Sequence, residues 1–243
     1  MLNKEKLKRL CPLLSDIYVC RSTESTNADL AALARSGAKD MTVLCADMQT
    51  AGKGRGAHTF YSPEGGLYFS LLLRGGKYTK SVQKITPYAA CAVCRALGRG
   101  AKIKWVNDIF INERKVCGIL TRSEFTAGSA SPEWVIVGIG INLKMPTGGF
   151  PDEIKNTAGA VFGAGEEYDA EKIVSNIVTL LAEYIASDGE SALDFYRQNC
   201  FNVKRRVTAN GEKLFAKEID ENFNLIAVKE NGEEVRISSG EVI

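Results

Sequence analysis

At 243 residues, 45% hydrophobic and 25% charged, the chain can bury the core of one large domain and a small one, which excludes disorder and fibre. Its 31 basic and 29 acidic residues leave a formal charge of only +2, so charge implies no nucleic-acid partner and any positive field has to be local. No leader-like N-terminus and no apolar run approaching about 18 residues is visible, and the seven cysteines are an odd number scattered through apolar segments; a cytoplasmic protein with reduced thiols and no membrane segment is expected.

In chain order, Thr26-x-x-Asp29 reads as a capping box that opens a helix with Leu30, Leu33 and Ala34 on one face, stopped by Gly37. A strand is expected over 42–47. Leu67, Phe69, Leu71 and Leu73 then alternate with Tyr68, Ser70 and Arg74, the pattern of a half-buried strand. Thr86-Pro87 starts a helix with proline at its first position and an end near Gly98. Cys91 and Cys94 fall inside that helix; they lack a second pair, and the sole histidine, His58, lies elsewhere, so they read as core rather than metal ligands. Strands follow over 102–105, 109–111 and 115–124, the last two joined as a hairpin at Asn112-Glu113, and another over 133–143.

Two helices come next. Asp169 caps the first, which carries Ile173, Ile177, Leu180, Leu181 and Tyr184 at helical spacing, and Ser191 caps the second. From about Asn202 the pattern changes to short strands with turns at Asn210-Gly211, 220–222 and Asn231-Gly232, which predicts a small β-barrel of about 40 residues. The expected organisation is α/β (α+β): a mixed β-sheet flanked by helices over 1–198, and a separate small unit over 199–243.

Chemistry concentrates in a few segments. Between Gln49 and Pro63, glycines at 52, 54 and 56 let backbone N–H groups approach an anion while Lys53 and Arg55 bring positive charge to the same spot. Downstream, Lys104-Trp105-Val106-Asn107-Asp108 precedes Lys115 and Gly118, and Val137 to Asn142 reads Val-Gly-Ile-Gly-Ile-Asn. Gly138-x-Gly140 lacks the third glycine and the following helix of a dinucleotide fingerprint, so a Rossmann reading is rejected. Binding a polyanion needs fixed cations, and Arg55, Lys104 and Lys115 are the candidates.

In order and spacing, with Ser25-Thr26-Asn27 upstream and a Gly240–Val242 ending, these segments resemble the biotin protein ligases over nearly the whole chain from about residue 20. The resemblance implies a class II synthetase-like biotin/lipoate ligase catalytic domain followed by an SH3-like barrel. It further implies an enzyme that converts biotin and Mg·ATP to biotinyl-5′-AMP and passes the biotin to a lysine of a biotin carboxyl carrier protein. By that resemblance Arg55 grips phosphate, and Lys115 contacts the biotin carboxylate and the α-phosphate together. Biotin is expected at Ser25, Thr26, Asn27, Gln49, Gly52 and Gly118, with Arg55 and Lys115. ATP is expected at Lys53, Lys104, Asn107, Asp108 and Asn142, with Arg55. Trp105 is expected to wall the pocket, and the loop aromatic at position 60, Phe60, carries no assigned role.

Asp108 is left with two roles, coordinating Mg²⁺ or orienting and deprotonating the carrier lysine. Two positions depart from the family pattern: Gly56-Ala57-His58 stands where further arginines are usual, and Val106 where proline is common. Only about two dozen residues precede Ser25, too few for a helix-turn-helix domain, so neither DNA binding nor a repressor role is expected, while a homodimer is left open. Two other readings are weighed. A lipoate or octanoate ligase should show a different glycine-rich and His-Asp motif, and the presence of both Lys115 and Asp108 argues against a non-catalytic biotin or nucleotide sensor.

Overall fold

The structure, a computed structural model, describes residues 1–129, 131–209, 211–240 and 242. The expected turn at Asn210-Gly211 and the Gly240–Val242 ending therefore lie partly outside the described residues, at Asn210 and Glu241. Strands β1 (Ile17–Thr23), β2 (Val43–Gln49), β3 (Leu67–Arg74), β4 (Lys102–Lys104), β5 (Asp108–Ile111), β6 (Arg114–Phe125) and β7 (Pro132–Ile141) form one sheet in the order β1-β2-β3-β7-β6-β5-β4. Only β1 and β2 run parallel, because helix α2 (Thr26–Arg35) carries the chain across between them; every other neighbour is antiparallel. The β5–β6 hairpin turns at Asn112 and Glu113 as expected, both at positive φ (49° and 62°).

The two faces of the sheet are covered differently. Helices α3 (Ile85–Leu97) and α4 (Ala170–Ala186) close one face over Val43, Cys45, Phe69, Leu71, Val135 and Val137. On the other face α2 lays Leu30, Ala31 and Ala34 on Leu44, Leu72, Trp134 and Ile136. That helix is short, so the same face runs on uncovered past its N-terminus. Strand β3 is nevertheless covered on both faces rather than half-buried: Tyr68, under Pro63 and Phe60, and Ser70, under Thr26 and Asn27, are buried as completely as Phe69 and Leu71.

Helix boundaries correct three expectations. Thr26 is the first helical residue and Ser25 the N-cap, with no side-chain cap bond, and Asp29 accepts a hydrogen bond from the Thr23 hydroxyl instead of completing a capping box. Helix α3 starts at Ile85 because a 3₁₀ turn over Gly76–Lys84 feeds directly into it; Pro87 is its third residue, where an N–H would still lack a helical partner. Helix α5 (Glu190–Asn199) starts at Glu190 behind Gly189 in the left-handed region (φ 74°), leaving Ser191 inside the first turn. Asp169 does cap α4, its Oδ1 accepting from Lys172 N at 3.0 Å. A short helix missed by periodicity, α1 (Lys4–Leu10), docks on α4 through Lys6, which pairs with Asp169 (2.8 Å) and Glu171 (3.0 Å).

The C-terminal residues form a four-stranded antiparallel sheet in the order β11-β10-β9-β8, from β8 (Arg205–Ala209), β9 (Glu212–Ile219), β10 (Leu225–Val228) and β11 (Glu234–Ile237). Among the described residues this sheet is open, and one isolated bridge, Ala209 to Val242, brings the chain end back to β8. Its core is continuous with the larger one, since the Phe223 ring meets Tyr88 at 5.7 Å and Tyr196 at 5.3 Å. Cys91 and Cys94 are buried with their thiols bonded to the Ala192 and Ala101 carbonyls, and burial pushes Cys94 up to about 12; both are core residues as expected. Among the described residues no helix is long and apolar enough to cross a membrane.

Candidate active site

Along the α2 face of β7 the side chains shrink in sequence from Trp134 and Ile136, which lie under the helix, to Gly138 and Gly140, which do not. In register opposite them on β6 stand Leu120 and Gly118. This cleared strip is the floor of a cavity of about 500 Å³. The glycines are required by what approaches the floor. A Cβ on Gly138 would overlap the Asn27 amide, and one on Gly140 would come within 2.6 Å of the Phe60 ring.

One end of the cavity is neutral and internally bonded. Thr26 donates both its backbone N–H (2.9 Å) and its hydroxyl (3.1 Å) to Gln49 Oε1, and Gln49 Nε2 donates to Ser62 Oγ at 3.0 Å. Ser70 Oγ lies 2.8 Å from Thr26 Oγ1 and 2.7 Å from Asn27 Oδ1, while Asn27 Nδ2 donates to the Leu120 carbonyl at 3.2 Å. Ser25 and Thr26 are each 4% exposed. Neither hydroxyl caps α2: Ser25 makes no side-chain cap bond and lines the cavity, and Thr26 holds Gln49 in place.

The other end is charged. Asp108 and Gly118 are register partners on β5 and β6, and Lys115 Nζ meets Asp108 Oδ2 at 2.7 Å across the floor. Simple alternation would turn Lys115 toward the buried face with Cys117 and Ile119. A β-bulge intervenes: the pairing shifts between Ile109 and Phe110, Val116 and Cys117 both enter the core, and Lys115 faces the cavity. Its backbone is clamped on the far side, N–H to Thr157 O at 2.7 Å and C=O from Gly159 N at 2.9 Å. Beneath the pair, burial and the nearby Asp108 carboxylate push the Cys117 thiol well up, so it stays neutral. Asp108 Oδ1 is buried without a hydrogen-bond partner, an unsatisfied acceptor beside the cavity.

Residues 53–60 roof the cavity. The glycine loop is a narrow hairpin rather than a cradle of free N–H groups. Gly54 N donates to His58 O (2.8 Å), Phe60 N to Gly52 O (2.9 Å) and Gln49 N to Ser62 O (2.9 Å). Gly56, at φ 63°, turns the tip. Lys53 and Arg55 are the cations among the roof residues, and Phe60 closes the roof against Gly118 and Gly140.

The sequence pattern of the biotin/lipoate A/B protein ligase family matches residues 18–142. The chain belongs to this family. The bifunctional ligase/repressor BirA of Bacillus spizizenii is 39% identical to it over 166 residues, 66% of this chain and 50% of that protein. The biotin–[acetyl-CoA-carboxylase] ligase of Mycobacterium tuberculosis is 28% identical over 248 residues, covering 93% of this chain and 87% of that protein. The chain thus spans half the length of the Bacillus relative (50%) and most of the Mycobacterium one (87%). Among solved structures, the biotin protein ligase from Aquifex aeolicus in complex with biotin and ATP superposes with a TM-score of 0.76 at 25% identity, covering 95% of this chain and 98% of that one.

Within this family member, most of the expected site residues converge. Arg55, Asp108 and Lys115 line one cavity with Lys53, Lys104, Asn107 and Gly118, and Ser25, Thr26, Asn27 and Gln49 line its neutral end. Trp105 forms part of the wall as expected. Gly52 and Asn142 do not line the cavity. A Cβ on Gly52 would overlap the Phe60 carbonyl and Ser62 hydroxyl, so this glycine lets the two arms of the roof hairpin meet. Asn142 is buried and donates from Nδ2 to Gly159 O at 3.0 Å, fixing the segment that clamps Lys115. Lys104 lies at the wall with its ammonium over the Phe110 ring, 5.7 Å from the centroid. Phe60, Ser62, Ser70 and Gly138 were missed as site builders; two glycines two residues apart in a strand, clearing one face, were the signal for the last.

Proposed function

We propose that the chain is a biotin protein ligase. It joins biotin to ATP as biotinyl-5′-AMP, then transfers the biotinyl group to a lysine of a biotin carboxyl carrier domain of a carboxylase. The reading is carried by one observation: a single cavity has a neutral hydrogen-bonding end at Thr26 and Gln49 and a charged end at Lys115 and Asp108, 2.7 Å apart, under a roof bearing Arg55. Biotin needs the first for its ureido ring and the second for its carboxylate, in line with the likeness to the Mycobacterium and Aquifex biotin ligases.

A biotin carboxylate oxygen attacks the α-phosphorus and pyrophosphate leaves. Lys115 holds carboxylate and phosphate together while negative charge builds between them, and Arg55 closes from above. The amine of the carrier lysine then attacks the acyl carbon, gives up a proton and displaces AMP; Asp108 is placed to orient that amine and take the proton. Among the described residues no group of three His, Cys, Asp or Glu is assembled for a metal. The unpartnered Asp108 Oδ1 suits a single carboxylate contact to Mg²⁺, whose remaining ligands would come from phosphate and water. When bound, the ion neutralises phosphate charge. We also read 1–198 as the catalytic unit and 199–243 as an SH3-like one, the Ala209–Val242 bridge being the start of its closure.

Biotin-dependent exchange of labelled pyrophosphate into ATP, run beside lipoate and octanoate, tests the reading. Exchange with biotin alone is expected. Exchange with lipoate or octanoate instead would move the chain to the other branch of the family, and none with any acid would leave a sensor.

A further inference from the structure

The short link between β4 and β5 carries part of the cavity wall, yet its backbone is held from outside the sheet. Trp105 N–H donates to Asn202 Oδ1 at 2.6 Å, and the Trp105 indole N–H donates to the Phe223 carbonyl at 2.8 Å. The Val106 carbonyl accepts from the Tyr196 hydroxyl at 3.2 Å, and within β4 Ile103 O accepts from Phe201 N at 2.7 Å. All these partners belong to α5 or to the C-terminal residues. Asn202 is 2% exposed and Trp105 4%, so water has little access to replace the bond between them. The Phe223 carbonyl is itself fixed. Phe223 is at φ 62°, inside a turn in which Asp220 Oδ1 accepts from Asn222 N and Asn224 N, both at 2.8 Å.

We propose that Asn202 is a positioning residue for adenylate formation. Its side-chain oxygen holds the Trp105 peptide so that Lys104 and Asp108, on either side of the link, face the phosphates of ATP. At the downstream end the link is tied to the sheet, Asn107 Nδ2 donating to Ile119 O at 2.8 Å and Asn107 O accepting from Ile119 N at 3.0 Å. Without the Asn202 bond the Trp105 peptide loses its one direct backbone hold, leaving the link tethered through the Trp105 indole and the Val106 carbonyl, and displacements of about 1 Å in a reacting site cost up to about a hundredfold. The neutral end does not share the anchor, because Thr26, Gln49, Ser62 and Ser70 hold one another.

The inference rests on the biotin ligase reading, and its test separates the two. Asn202→Ala, Asn202→Asp and Tyr196→Phe are compared with the parent by pyrophosphate exchange, by calorimetric biotin affinity without ATP, and by amide hydrogen exchange over 103–108. Asn202→Ala should lose about tenfold in kcat with a raised KM for ATP, keep its biotin Kd within about twofold, and exchange faster at 103–108 while β3 stays protected. Asn202→Asp keeps the acceptor oxygen and should recover most of the rate; Tyr196→Phe should shift the same quantities less. Parent-like kcat and ATP KM in Asn202→Ala, or equal weakening of biotin and ATP, would overturn the proposal. If Asn202→Ala does not fold, unchanged ATP KM and unchanged exchange at 103–108 in Tyr196→Phe would overturn it. A parent with no biotin-dependent pyrophosphate exchange would sink the functional reading instead, and the amide exchange would still decide whether Asn202 holds the link.

Discussion

At one end of the cavity Thr26, Asn27, Gln49 and Ser70 bond to one another and to the Leu120 carbonyl. At the other, Lys115 and Asp108 share a single contact and Asp108 Oδ1 has none. The first end is set before any ligand arrives. A molecule entering it either matches a fixed pattern of donors and acceptors or leaves buried polar groups unpaired, which is how hydrogen-bonding sites discriminate. The second end keeps long cationic side chains that can follow charge as it moves from a carboxylate to a pentacoordinate phosphorus. Discrimination and rate are therefore assigned to different residues, and substitutions at the two ends should leave different signatures.

The largest effect is expected at the charged end. Lys115→Ala should lower adenylate synthesis by about a hundredfold or more, the scale of one lost charge-stabilising contact, with thermal stability near the parent because the side chain is 35% exposed. Single-turnover formation of biotinyl-5′-AMP measures it; parent-like turnover would break the assignment. Arg55→Gly should still make adenylate but retain it poorly, so bystander proteins in a lysate become biotinylated. Streptavidin blots at matched adenylate production read the leak, and no increase over the parent would mean that Arg55 is not the clamp.

Smaller effects belong to the neutral end. Thr26→Val keeps the volume and removes one of the two donors to Gln49 Oε1, so biotin KM should rise about five- to tenfold with kcat near the parent. A fall in kcat at unchanged KM would erase the contrast between the ends. Least of all, raising salt from about 0.05 to 0.5 M should weaken ATP binding severalfold and biotin binding hardly at all, since screening acts on exposed charge and not on buried neutral bonds. Equal salt sensitivity in calorimetric titrations would place charge at both ends.

Sequence reading reached β2 to β7 and the helix over 170–186, because alternation and caps are local signals; it missed β1, and most cavity residues were located by the family resemblance. It misread what depends on partners. Tyr68 and Ser70 look solvent-facing until Phe60 and Pro63 cover the first and the start of α2 covers the second. The glycine loop looks like an anion cradle, yet Gly54 and Phe60 use their N–H groups inside a hairpin. Lys115 is the instructive case. Its place in the pattern faces the core, and only the bulge at Val116 turns it to the cavity; the family resemblance located it where periodicity pointed the wrong way. Asn202 carried no local signal at all, since its partner lies 97 residues away.

The polarity of the cavity is most directly tested by a crystal structure with a non-hydrolysable biotinyl-adenylate analogue. We expect the ureido ring within hydrogen-bond distance of Ser25, Thr26 or Gln49, and the acyl-phosphate group between Lys115 and Arg55 with Asp108 beside it. A ligand bound the other way round, with its ureido ring at Lys115 and its phosphate at Thr26, would contradict the division of labour between the two ends.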